Sequence, residues 1–191
     1  MANTEQLAII LEGVPAWNAW RVKYPDAKVD LRDANLREAD LTGASLQETD
    51  LFDANLMAAN LATANLYKAD LRGAQLFRAN LAGANLTGAR LFYAQLMKAD
   101  LRGANLTWAC FRNAKLFRAI LTKARLNETL FANTELGEAE GLGDCIHEGW
   151  CVVDHRTLEK SWPLPHVFLQ GCGMPDRLVG ALSAAFGNVG V

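Results

Sequence analysis

No run of 18 apolar residues occurs in this 191-residue sequence, so no bilayer-spanning helix and no membrane partner is expected. The one early hydrophobic run, Leu7 to Leu11, is short, lacks a basic lead and is followed by charge, so it does not read as a secretion signal. Cysteine is scarce as well. Cys110, Cys145, Cys151 and Cys172 form no small-scaffold disulfide pattern, and reduced thiols in a cytoplasmic protein are the expectation. Missing too is either regular hydrophobic period. Over most of the chain apolar residues follow neither the 3, 4, 7 spacing of a helix nor the strict alternation of a strand.

What is there instead is a beat of five. Leucine returns at Leu31, Leu36, Leu41, Leu46 and onward to Leu136, 22 positions without a slip, with Phe111 and Phe131 the only replacements. Two residues before each stands a small residue, alanine in 18 of the 22 cases; the exceptions are Val29, Thr49, Thr129 and Thr134. On a helix such leucines would smear around the surface, and on a flat strand they would alternate up and down. Both outcomes leave about half of them in water. A chain that turns a corner at every repeat can point them all to one axis, and repetition at fixed period is the mark of a solenoid.

Ala34-Asn35-Leu36-Arg37-Glu38, Ala39-Asp40-Leu41-Thr42-Gly43 and their successors resemble the pentapeptide-repeat proteins, whose consensus is A(D/N)LXX. The resemblance covers residues 29–140 and implies an all-β solenoid, a right-handed quadrilateral β-helix of about 22 repeats with four pentapeptides per coil. The large central residue would face inward, with β-turns at the corners. Phe111 and Phe131, 20 residues apart, would then stack one coil above the other. Residues 1–28 read as a helical cap: Thr4-Glu5-Gln6-Leu7 can start a helix ending near Gly13, and Pro15 opens a second through Lys23 with Trp17, Trp20 and Val22 near one face. A cap covers the open edge that unpaired backbone would otherwise present.

With the axis filled, function is sought on the outside, and catalysis is not expected because a packed coil offers no concave pocket. Every twentieth residue shares a column. One column presents Arg37, Met57, Phe77, Met97 and Phe117, beside Glu38, Ala58, Arg78, Lys98 and Arg118. This apolar ladder with a basic rim fits a protein-partner site. It fits equally a ladder that only packs on itself, or one covered by the C-terminal tail. The adjacent column, Arg32, Phe52, Arg72, Phe92 and Arg112, reads as a self-satisfied cation and ring stack. Nucleic acid is not expected there, because single-strand binders use a groove. Asp30, Asp50 and Asp70 would stack in a third column; turn hydrogen bonding is the expected role, ahead of a cation site or catalytic pair.

The resemblance also brings an activity. Some members of the family resemble B-form DNA in width and negative charge and bind type II topoisomerases such as DNA gyrase. Mimicry needs a strongly acidic rod, whereas Leu31 to Glu140 holds 13 basic and 12 acidic residues, with 11 of the basic ones between Lys68 and Arg125. A non-enzymatic protein-binding or scaffold role on the Met57 to Phe117 ladder is therefore the first reading, and mimicry the alternative.

Residues 141–191 lose the beat and read as a cap or tail. Cys145, His147, Cys151 and His155 have soft side chains at a spacing that invites zinc but matches no common finger, so a metal stays an open question there and no cofactor is expected. A nucleophilic Cys–His pair lacks a positioned third group. Pro165 to Pro175 resembles the linker that follows the repeats in some multidomain bacterial members ahead of a TIR-type domain, which would leave this sequence the recognition rod alone. Asp176 to Phe186 reads as a helix with Leu178, Val179, Leu182, Ala185 and Phe186 on one side, expected to cover the rod end or to form a homodimer.

Overall fold

The computed structural model describes residues 1–186, so the last five residues of the 141–191 segment lie outside the described part. Its ladder is built on a spacing of 20 residues. Leucine amides donate to the carbonyl 19 residues on, as Leu31 to Asp50 (2.8 Å) and Leu86 to Asn105 (2.9 Å) do. Residues 20 apart pair as parallel bridges from Asp30–Asp50 to Ile120–Glu140. One coil therefore holds four pentapeptides. Regular strands are few and two residues long, because each repeat gives only a bridge before the chain turns again.

The inward register is the one the beat requires. The leucines of the repeat are buried, as are their small partners apart from half-buried Ala39. Phe111 and Phe131 stack with ring centroids 5.4 Å apart and planes 10° apart. In most repeats the amide three residues after the leucine donates back to its carbonyl, for example Ala84 to Leu81 at 3.0 Å. The third turn residue takes positive φ in all 22 repeats, and only five of these are glycine. That is the type II pattern, and each non-glycine residue in it carries a strain of about 1 kcal/mol or more. The coil overrides the strain because the amide of the same residue joins the ladder, as Lys68 to Thr87 does at 2.8 Å.

Both ends are sealed by side chains that imitate a missing coil. Helix α1 (Thr4–Glu12) is capped by Asn3, one residue earlier than the sequence suggests, whose side chain accepts from the Gln6 amide at 3.1 Å. Gln6 in turn accepts from the Asp30 amide (2.8 Å) and donates to the Lys28 carbonyl (2.9 Å). Helix α2 (Val14–Lys23) buries Trp17, whose indole N–H donates to the Ser45 carbonyl at 3.0 Å. Asn18 accepts from the Ser45 amide (2.8 Å), and Arg21 donates to the Gln47 carbonyl (3.1 Å). Val22 points to solvent, 82% exposed; Arg21 is the residue buried beside Trp17.

At the other end the ladder runs past Glu140. Strand β1 (Arg125–Leu126) pairs with β3 (Ile146–His147), and β2 (Leu130–Phe131) with β4 (Val152–Val153), both parallel. The register slips by one and then two residues (Arg125↔Ile146, Leu130↔Val152), so the pairing survives where the five-residue beat does not. Helix α3 (His155–Ser161) then closes the top. Thr157 accepts from the Thr134 amide (3.0 Å) and Ser161 from that of Leu136 (2.8 Å). In α4 (His166–Gly171), buried Phe168 meets Phe131 edge-on at 6.0 Å and ends the aromatic column. Helix α5 (Asp176–Phe186) packs on α4. It buries Val179, half-buries Leu182 and leaves Leu178 46% exposed, so not all of its apolar side is used.

Candidate functional site: an apolar ladder on one face

Among the described residues the tail is spent on the rod end, and the ladder face stays partly exposed. Met57, Phe77 and Met97 are half-buried against their column neighbours, while Phe117, the last rung before Gly137, is 37% exposed. A Cβ at Gly137 would sit 3.7 Å from the Phe117 ring, so glycine there leaves that ring without a large neighbour above it. Beside the apolar column lie the cations. The guanidinium of Arg78 stands 5.1 Å from the Phe77 ring centroid and that of Arg118 5.1 Å from Phe117. Arg118 is neutralised by Glu138 at 2.6 Å, but Arg78 and Lys98 find no acid within ion-pair distance among the described residues. These side chains sit at the positive-φ corner of each turn, which aims them outward beside the rung.

The neighbouring face is more self-contained. Arg72 lies 5.4 Å from the Phe52 ring centroid and pairs with Asp70 at 2.7 Å. A shallow notch bordered by Phe52, Arg72, Phe92 and Tyr93 remains, with Tyr93 63% exposed. Gly73 forms its floor, where a Cβ would come within 1.9 Å of Asp53 Oδ1.

The acidic column does turn work. Asp30 accepts from the Arg32 amide (3.1 Å) and guanidinium (2.9 Å), which holds its carboxyl below the usual carboxylate range. Asp100 is lowered in the same way, first by the Arg102 side chain. Asn columns link coil to coil, as Asn80 donates to Asn60 at 2.8 Å. Asp70 likewise pairs with Arg72 of its own turn at 2.7 Å, while Asp50 accepts from the Phe52 amide (3.1 Å) and lies 3.6 Å from Arg32.

The tail cluster is not the one the spacing suggests. Cys145 turns inward to the Leu121 carbonyl at 3.5 Å, and burial pushes its thiol up to about 12. His155 is exposed at the start of α3. His147 and Cys151 do meet, at 3.9 Å, and the third residue at this point is Cys172, distant in sequence.

A sequence model of pentapeptide repeats matches in 8 copies, over residues 27–56, 54–91, 79–116 and 109–140, well over half of the chain. The chain belongs to the pentapeptide-repeat family. Solved pentapeptide-repeat structures are similar to it. A protein of the Arabidopsis thaliana thylakoid lumen is 29% identical over 51% of this chain and 65% of its own, with a TM-score of 0.43. HetL of the cyanobacterium Nostoc, involved in heterocyst differentiation regulation, is 28% identical over 63% of this chain and 73% of its own, with a TM-score of 0.31. QnrB1, a plasmid-mediated fluoroquinolone resistance protein, is 16% identical over 80% of this chain and 86% of its own, with a TM-score of 0.43. The match thus spans slightly under two thirds of the Arabidopsis protein. No curated protein matches the chain. Among the described residues no helix is long and apolar enough to cross a membrane.

Proposed function

We propose that this pentapeptide-repeat protein is a right-handed, four-sided rod that does no chemistry of its own and binds a protein partner through the Met57, Phe77, Met97 and Phe117 face. One observation carries the reading: both rod ends are covered by the chain's own helices, yet this column stays open, with Phe117 37% exposed and Arg78 and Lys98 unpaired beside it among the described residues. Rungs about 4.8 Å apart suit a partner that sets apolar side chains along the rod with acids at their flank. Four free thiols fit the cytoplasm as the compartment of action.

DNA mimicry is the weaker alternative. Several acids in the coils are held by arginines, Asp30 by Arg32, Asp70 by Arg72 and Asp100 by Arg102, which masks part of the negative charge of a rod that already carries slightly more basic than acidic residues. Capture from source-cell lysate distinguishes the two. A Phe77→Ser, Phe117→Ser variant, folded by circular dichroism, should lose the partner, while neutralising Asp40, Glu48 and Asp53 should leave it bound. Gyrase captured equally by wild type and the ladder variant, and lost with the acids, would reverse the ranking.

A further inference from the structure

We propose that His147, Cys151 and Cys172 form a zinc site that fastens the helical plug to the last rung of the rod. The three ligand atoms lie within 4.8 Å of one another, and His147 Nδ1 is 3.9 Å from Cys151 Sγ. A tetrahedral zinc with Zn–S of about 2.3 Å and Zn–N of about 2.0 to 2.1 Å holds its ligand atoms roughly 3.5 to 3.8 Å apart. Closing onto the ion therefore takes about an ångström or less of side-chain movement. Two thiolates and an imidazole are the donor set that favours zinc over magnesium or calcium.

The scaffold around the cluster is built for it. His147 ends β3, Cys151 precedes β4, and Cys172 follows α4, so one ion would join the final rung to the plug helix. The Cys151 amide donates to the Cys172 carbonyl at 3.4 Å, which brings the two thiol-bearing segments side by side. The His147 ring lies against Gly171, where a Cβ would come within 2.3 Å of Cδ2, so only glycine admits the imidazole in this position. The same ring sits 5.8 Å from Phe168, edge-on to the residue that ends the core column. Nε2 of His147 is buried and finds no hydrogen-bond partner among the described residues. Two buried thiols stand at the side of its other nitrogen, Nδ1, which is the atom placed to take a ligand. His147 is only half-buried, which gives an ion a route in, and the fourth position is left to solvent.

The test uses the full chain, purified under reductant, stripped by chelator and titrated with Co²⁺ and then Zn²⁺. Cobalt should bind one per chain with a thiolate-to-metal charge-transfer band and tetrahedral visible bands, which zinc displaces. Zinc should raise the melting temperature and shield two of the four thiols from alkylation. Cys151→Ser, Cys172→Ser and His147→Ala should each weaken binding by on the order of a hundredfold or more, since even outer-shell partners cost about 10 to 100-fold. Cys145→Ser and His155→Ala should keep it. A wild-type cobalt spectrum without thiolate bands overturns the proposal and needs no variant to do so. Equal loss from Cys145→Ser or His155→Ala overturns it too, by placing the ion elsewhere.

Discussion

Leu86 is completely buried at mid-rod, with Leu66 and Leu106 one coil on either side. Leu86→Ala removes its isopropyl group from a core fixed by amide ladders above and below, Leu66 to Asn85 (2.8 Å) and Leu86 to Asn105 (2.9 Å). Those ladders resist collapse into the void, so the cost should fall within about 2 to 5 kcal/mol, transfer and cavity together. Thr87, the next residue, is turned outward and its hydroxyl donates only to Asn85 on the same turn at 2.7 Å. Thr87→Ala should cost no more than about 0.5 kcal/mol. Urea titration followed by circular dichroism reads both, with the m-value checking that each variant still unfolds as one unit. A solenoid couples each coil mainly to its neighbours, so a lowered m-value for Leu86→Ala would mean that the two halves melt separately. Equal midpoints for the two variants would refute the inward register and all that is built on it.

Other expectations follow from the same geometry. Ala58→Gly should stabilise by about 0.5 to 1 kcal/mol, because Ala58 sits at φ 54 and glycine relieves a left-handed strain larger than its entropy cost. Gly73→Ala should instead destabilise by about 1 kcal/mol, since Gly73 holds φ 70, where a Cβ brings left-handed strain, while Asp53 can swing aside; thermal melts compare the two. Gln6→Ala leaves the Asp30 amide and Lys28 carbonyl without their partners. It should cost about 1 to 3 kcal/mol and open an edge to self-association, seen as a larger species by light scattering. Acid stability should follow the lowered carboxyls: Asp30 and Asp100, held down first by Arg32 and Arg102, contribute above the unfolded pKa of about 3.9 and lose that contribution as pH falls through their lower folded values. Urea midpoints from pH 6 to pH 2 should therefore fall below about pH 4, and Asp100→Asn should flatten the fall.

The repeat was legible because nearly all inward positions are chosen for size, leucine beside alanine, and errors of register would place either in water. The caps were legible only as helices. Their function rests on Gln6, Asn18, Arg21, Thr157 and Ser161, single polar residues that replace backbone groups of an absent coil and leave no period to read. The extra rung at Ile146 to Val153 was hidden by the register slips, since parallel pairing needs backbone and not leucine. Cys172 was missed as a neighbour of His147 because spacing rules look along the chain, and 25 residues separate the two. Gly171-Cys172-Gly173 was the available signal, a thiol between two glycines where backbones come close. The ladder face was read from the column arithmetic alone; its openness depended on where the tail went, which no pattern in residues 141–186 states.

The central claim is that function lies on the ladder face, and site-specific photo-crosslinking in source cells tests it most directly. A photoreactive phenylalanine analogue would be placed at Phe117 and, separately, at Thr87, two columns away around the coil. The account predicts a discrete adduct from Phe117, competed by wild-type protein and abolished by adding Phe77→Ser, and none from Thr87. Adducts of the same partner from both positions, or from Thr87 alone, would contradict it.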